Sequence, residues 1–264
     1  MKINIRPVAM TQWLDVPPGS DNEDIISYCA RVSNPKNQEN FQTAGKLLKY
    51  CIHERHWSVF TMSNLVMEIS APRDITRQLL RHKFEFQEFS QRYANPLESF
   101  DMFIREARLQ DATNRQNSLE TDNQGLISEW EFRQNNIADI TKETYTWALN
   151  NGIAKEQARA VLPEGMTMSR LYVNGNLRNW FHYCQVRTLE STQKEHRQMA
   201  EMCWEHIKKA YPFLNDIELN EESDNLELLQ ALENMIRVYE ETSDSAPNRI
   251  SAMNGARKIL EKYR

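Results

Sequence analysis

Apolar residues recur at spacings of three and four through most of the chain and at alternate positions in only a few short runs, which predicts many helices around a little strand. Residues 2–9, KINIRPVA, read as a short strand, and Pro7, with no amide proton to give a ladder, assigns it to a sheet edge. Asp21 can cap a helix over 23–31, with Ile25, Ile26, Cys29 and Ala30 on its apolar side and Asn34 and Pro35 closing it. A second helix over 40–54 carries Phe41, Ala44, Leu47, Leu48 and Cys51 at helical spacing. The run VFTMSNLVMEIS, 59–70, is rich in β-branched and bulky apolar residues and reads as a strand. Pro72 then opens the helix PRDITRQLLRHK, where Ile75, Leu79 and His82 share one face and Arg77, Gln78 and Arg81 point elsewhere.

Residues 110–125 are polar without periodicity and read as an exposed, mobile loop or insertion. A long amphipathic helix follows over 126–150, with Ile127, Trp130, Ile137, Ile140 and Trp147 on its expected buried side and Gly152 as terminator. KEQARAVLPEG is a short helix broken by Pro163, and MTMSRLYVNG alternates enough to be a strand or extended arm. Helices are expected over 176–187 and 192–211, the second opened by a capping box from Thr192 to Glu195 and stopped by Pro212. After an acidic stretch, IELNEESDN, two more helical segments, 226–241 and 246–263, read as an appended hairpin. Strands mixed irregularly with many helices argue for a mixed α+β or irregular α/β chain.

Composition narrows the classes. No uncharged apolar run approaches the ~20 residues of a membrane helix, and MKINIRPVAMTQW has no apolar core of a signal peptide, so a cytoplasmic address is expected. A net charge of -5 gives no global attraction for a polyanion, so DNA is not an expected partner. Cys29, Cys51, Cys184 and Cys203 form no CxxC pair and read as reduced thiols. HERH, from His53 to His56, is not HExxH, and no metal site is expected. The seven glycines spell neither GxGxxG nor a phosphate-binding loop.

The densest polar text is Gln78, Arg81, His82 and Lys83 followed by Gln87, Glu88, Ser90, Gln91, Arg92 and Tyr93. Arginine forks beside a hydroxyl suit a phosphate monoester, although a solvated helix end has the same composition. Arg159 in ARAVLP is a second candidate, and Asn176, Arg178, His182 and Arg187 form a third. Residues 178 and 182 share a helix face, whereas 187 lies nine positions beyond 178 on roughly the opposite side, so one helix could address two ligands. Cys184 sits mid-helix, where a thiol is more often a small core residue than a nucleophile.

These blocks together, HWS, RHK, QEFSQRY, ARAVLP and GNLRNWFHY with the later VR, resemble the signature of the flavin-dependent thymidylate synthases, in order and over most of the chain. The resemblance implies helices around a mainly antiparallel sheet and a catalytic domain over 1–215, while the remainder, 216–264, has no counterpart in the family's core and reads from composition as a C-terminal helical extension. It implies methylation of dUMP to dTMP with methylenetetrahydrofolate as carbon donor, FAD as redox carrier and NADPH as reductant, in a homotetramer with shared active sites. Carried over by position, Ser58, Arg81, His82, Lys83, Glu88, Asn176, Arg178 and His182 resemble FAD contacts. Gln78, Leu79, Leu80, Arg81, Glu88, Phe89, Ser90, Gln91, Arg92, Arg159 and Arg187 resemble dUMP contacts, and Arg187 matches the arginine that activates the uracil.

Three positions depart from the signature. Lys83 stands in place of its second arginine, six residues rather than seven separate Lys83 from Ser90, and Thr61 stands where an acidic residue is usual. One missing residue turns a helix by ~100°, so the connecting turn must absorb it. Two other readings compete: a nucleotide- or RNA-binding homologue impaired in catalysis, and a cysteine-dependent methylase using Cys184.

Overall fold

The computed structural model describes residues 2–14 and 20–219. The helices expected at 226–241 and 246–263 lie outside the described residues. The chain up to Ile217 makes one compact unit. In order it forms β1 (Asn4–Met10), α1 (Asn22–Ala30), α2 (Ala44–His53), β2 (Asn64–Pro72), α3 (Arg73–Leu79), β3 (Glu85–Glu88) and α4 (Pro96–Ser99). There follow β4 (Arg108–Gln110), β5 (Ser118–Glu120), α5 (Gln124–Asn150), α6 (Lys155–Ala158), β6 (Met168–Asn176), α7 (Leu177–Arg187) and α8 (Lys194–Ala210). The main sheet runs β1-β2-β6-β3 with every pairing antiparallel, giving the mixed α/β architecture expected. Among the described residues no helix is long and apolar enough to cross a membrane.

β1 is an edge strand, and its register shifts between Pro7 and Ala9, where the missing amide interrupts the ladder. Asp21 caps α1 through a capping box closed by Asp24. The centre of the sheet is β2 on β6, with Leu65 opposite Gly175, Met67 opposite Val173 and Ile69 opposite Leu171, all buried on one face. Trp180 and Tyr183 of α7 and Met199, Cys203 and Ile207 of α8 are also buried, and the Trp180 indole Nε1 donates to the Leu65 carbonyl at 2.9 Å.

Four expectations change. The strand read over 59–70 begins only at Asn64, because Trp57–Met62 forms a 3-10 helix in which the Thr61 hydroxyl donates to the Ser58 carbonyl at 2.7 Å. The helix read through Lys83 ends at Leu79, so His82 sits in the following turn rather than on a helix face. The polar stretch 110–125 is not a structureless loop, since β4 and β5 pair as a hairpin around Asp111. That carboxylate accepts from Thr113 N (2.8 Å), Thr113 Oγ1 (2.7 Å), Asn114 N (3.0 Å) and Asn117 Nδ2 (3.0 Å), an Asx turn without any apolar signal.

The fourth change concerns α5. Its buried residues are Gln134, Ala138, Thr141, Tyr145 and Ala148, whereas Trp130 (41%), Ile137 (48%), Ile140 (64%) and Trp147 (59%) are exposed. Gln134 turns inward because its amide matches one main-chain unit, accepting from Arg105 N and donating to Arg105 O at 2.9 Å each. The small and polar stripe therefore faces this chain's own core, and the apolar stripe faces outward.

Candidate active site

Pro72 ends β2 with its φ preset at -57° and starts α3. Ile75 and Leu79 anchor that helix in the core, so Gln78 is carried round toward α8, while Leu79 has its side chain fully buried and Leu80 half-buried. The turn 80–84 then reverses the chain into β3, and the shorter spacing, residues 84–89, runs along that strand. Phe84 seats its ring against Gly175, where an added Cβ would stand 2.4 Å from Phe84 Cδ1. Asn179 Nδ2 donates to the Lys83 carbonyl at 2.6 Å and ties the turn to α7.

This fold brings His82 onto Arg187, 105 residues apart: Arg187 Nε donates to His82 Nε2 at 3.0 Å. The ring also meets Tyr183 edge to face at 4.9 Å. Burial first, then the Arg187 and His182 charges, push the His82 imidazole down to about 4. His82 is therefore neutral near pH 7, with Nε2 free to accept and its proton on Nδ1.

Glu88 ends β3, and its Oε1 accepts from Arg73 Nη1 and Ser169 Oγ, each at 2.9 Å. Beyond it, Phe89 packs on Phe100 at 5.2 Å and Gln91 is buried with Nε2 unpartnered. Ser90 Oγ accepts from Arg92 N at 3.4 Å. Arg92 lies 3.4 Å from Glu156, and Lys155 Nζ donates to Tyr93 O at 3.0 Å. The segment 88–93 is thus held beside α6 and the 3-10 turn Arg159–Val161 that carries Arg159.

Asn176 caps α7 by accepting from Asn179 N at 2.9 Å, and Arg178 and His182 lie exposed one turn apart on its outer face. Ser58, also exposed, is brought near because Trp57 packs on Phe181 at 5.1 Å. Within one chain the candidate residues therefore form three patches: Gln78, His82 and Arg187; Glu88 through Arg92 with Arg159; and Ser58, Lys83, Asn176, Arg178 and His182. Among the described residues Arg81, Lys83, Arg159, Arg178 and Arg187 have no carboxylate within salt-bridge distance.

Sequence reasoning missed the polar core behind the first patch. Gln78 Nε2 donates to Gln193 Oε1 at 2.8 Å, and Gln78 Oε1 lies 3.0 Å from His196 Nδ1. The capping box from Thr192 to Glu195 does not form: Gln193 is the N-cap, Thr192 Oγ1 donates to Val186 O, and Glu195 turns to Arg108 and Arg105. Burial raises the Glu195 carboxyl, but its own amide and the two arginines outweigh this and hold it below its ordinary value. His196 precedes Met199, Ala200, Cys203 and Ile207 at helical spacing, and that placement on an apolar stripe was the signal for a buried histidine. On the far side of Gln193, a cavity of about 310 Å³ is lined by Arg108, Asn117, Ser118, Thr192, Lys194 and Arg197 among others.

Cys184 is fully buried and its thiol donates to Ala200 O at 3.7 Å. Burial and then Cys203 push it well above its ordinary value, so no substrate reaches a thiolate there.

Residues 16–213 match the family model described as thymidylate synthase complementing protein. A probable flavin-dependent thymidylate synthase of Paramecium bursaria Chlorella virus 1 is 45% identical over 191 residues, covering 72% of this chain and 87% of that protein. A flavin-dependent thymidylate synthase of a Synechocystis strain is 44% identical over 191 residues, covering 72% and 86%. The same fold is found in the UMP/dUMP methylase PolB from Streptomyces cacaoi bound with 5-Br UMP, with a TM-score of 0.65 at 23% identity, covering 80% of this chain and 91% of that one.

Proposed function

The chain belongs to the family of flavin-dependent thymidylate synthases, and from that premise we propose that it methylates C5 of dUMP to give dTMP, with FAD as its flavin, methylenetetrahydrofolate as carbon donor and NADPH as reductant. The observation that carries this reading is that five cations at the candidate positions, Arg81, Lys83, Arg159, Arg178 and Arg187, have no carboxylate within salt-bridge distance among the described residues, in a chain of net charge -5. Such cations fit ligands that bring their own negative charge, and both FAD and dUMP carry phosphate.

The donor set divides by chemistry. Arg178, His182, Lys83, Asn176 and Ser58, around the start of α7, would hold FAD together with Arg81, His82 and Glu88. Ser90, Gln91, Arg92 and Arg159 would take the dUMP phosphate and sugar, with Gln78 and Arg187 at the base and Leu79, Leu80 and Phe89 supplying main-chain or apolar contact. When bound, the flavin supplies the electron transfer that the side chains cannot.

Arg187 acts on the pyrimidine. Uracil C5 is a weak nucleophile, and with no available thiolate to add at C6 the ring must be activated by a fixed cation facing the charge that develops on its oxygens and N3. Arginine remains protonated whatever its surroundings. His82 accepts from Nε and so orients the guanidinium, leaving its two terminal nitrogens to face the ring.

The exposed apolar stripe of α5 asks for a covering surface, which supports assembly into the homotetramer with shared active sites that the family reading implies. The test is the visible spectrum of the protein titrated with FAD and then dUMP, followed by turnover of Arg187→Ala. Flavin uptake, a shift on dUMP and loss of dTMP formation with flavin still bound are expected. Full turnover by Arg187→Ala would remove the role given to it.

A further inference from the structure

We propose that His196 is a positioning residue, which fixes the orientation of the Gln78 amide through a one-way hydrogen-bond relay ending on Glu195; this rests on the reading of Gln78 as a dUMP contact. The relay runs across α3 and the start of α8. Glu195, ion-paired with Arg108 and with Arg105 (3.3 Å), is a carboxylate and can only accept. Gln193 must therefore turn its NH₂ toward Glu195 Oε2, at 3.1 Å. That leaves Gln193 Oε1 facing Gln78, which must supply its own NH₂ at 2.8 Å. Gln78 Oε1 is then the atom facing His196 at 3.0 Å, and His196 must donate from Nδ1.

Each amide in the relay has one orientation, set by the Glu195 charge one link from Gln193 and two links from Gln78. A flipped Gln78 would face Gln193 Oε1 with its own oxygen and the His196 proton with its own NH₂, so Gln193 and the imidazole lock the amide from its two ends and only the unflipped form is complete at both. His196 is fully buried, and its Nε2 has no partner, so the ring has one hydrogen bond to make and makes it to Gln78. Burial first, then the Arg187 charge, with a smaller part from neighbouring His82, push it down to about 3, which keeps it a neutral donor throughout the physiological range. Arg105 is tied in turn to Asp74 of α3 at 2.7 Å, which anchors the Glu195 end of the relay to the helix that carries Gln78. Gln78 then offers a ligand a fixed pattern of one N–H and one lone pair.

The test is dUMP affinity, read from the flavin absorbance shift, in His196→Leu, His196→Asn and Gln193→Met, with flavin affinity measured beforehand. An asparagine amide can stand where Nδ1 stands, and leucine cannot donate. His196→Leu should bind dUMP about tenfold more weakly, the worth of one net hydrogen bond, while flavin binding is unchanged. His196→Asn should return to within about twofold of the parent. Gln193→Met breaks the middle link at a half-buried position and should lose the same factor, which keeps the proposal testable whether or not His196→Leu folds. Parent-like binding by Gln193→Met, or an asparagine variant as weak as the leucine one, would overturn the relay alone. A parent protein whose flavin spectrum ignores dUMP would overturn the reading of Gln78 as well.

Discussion

Replacing Gly175 by Ala should destabilise the protein, although a glycine within a strand is ordinarily improved by a side chain. The new Cβ would stand 2.4 Å from Phe84 Cδ1, 2.5 Å from Phe84 Cε1 and 3.1 Å from the Trp180 Nε1. Ordinary contact needs about 1 Å more at the ring. Phe84 has little room to retreat, with Trp180 at 4.4 Å, Tyr183 at 5.7 Å and Phe86 at 6.1 Å between ring centres. Overpacking of this kind costs about 1–3 kcal/mol, against about 0.4–1 kcal/mol gained by stiffening the unfolded chain. The balance is a loss of about 1–2 kcal/mol, or roughly 3–6 °C in Tm for a unit of this size. Urea unfolding followed by circular dichroism measures it directly. A double-mutant cycle with Phe84→Ala isolates the cause, because with the ring gone alanine at 175 should be neutral or mildly stabilising. A rise in stability for Gly175→Ala, or an equal loss in both backgrounds, would refute the argument.

Acid should loosen the same region: the His196 imidazole sits at about 3 when folded and near 6.5 when unfolded, so below pH 6.5 the unfolded chain binds the extra proton and stability falls as pH falls. At pH 5 the loss from this one group is about 2 kcal/mol relative to pH 8, His82 acts in the same direction, and urea midpoints at the two pH values for the parent and His196→Leu should differ in slope; equal slopes would count against a buried neutral ring. Ile140→Glu, at a position 64% exposed on α5, should leave the helical circular dichroism unchanged and shift the mass seen by light scattering from the proposed tetramer to smaller species, whereas a mass equal to the parent's would count against α5 as the contact between subunits.

Local patterns were legible without coordinates wherever one segment's own chemistry decides its form. Asp21 before an amphipathic run announces the start of α1, Pro7 confines β1 to an edge, and alternation marks β6. The ordered blocks identified the family because their residue types and order are properties of the chain itself, wherever the fold puts them. Asp111 escaped notice because an Asx turn is built from short polar residues that also make unstructured loops.

The sense in which α5 faces could not be read from its hydrophobicity, since an apolar stripe seeks burial without saying whether its own chain or another covers it. Gln134 and Ala138 face inward because they match the backbone and the space of this core. The contacts of Arg187 with His82 and of Gln78 with His196 join residues more than a hundred positions apart, and the antiparallel pairing of β2, β6 and β3 brings α3 to α8 and the turn after α3 to α7. The sequence by itself determined the side chains and the local elements that carry them. Which polar groups share a buried space, and so which must be neutral and which way each amide must point, was decided by the tertiary structure, because burial and hydrogen-bond direction are properties of neighbours that the chain order does not contain.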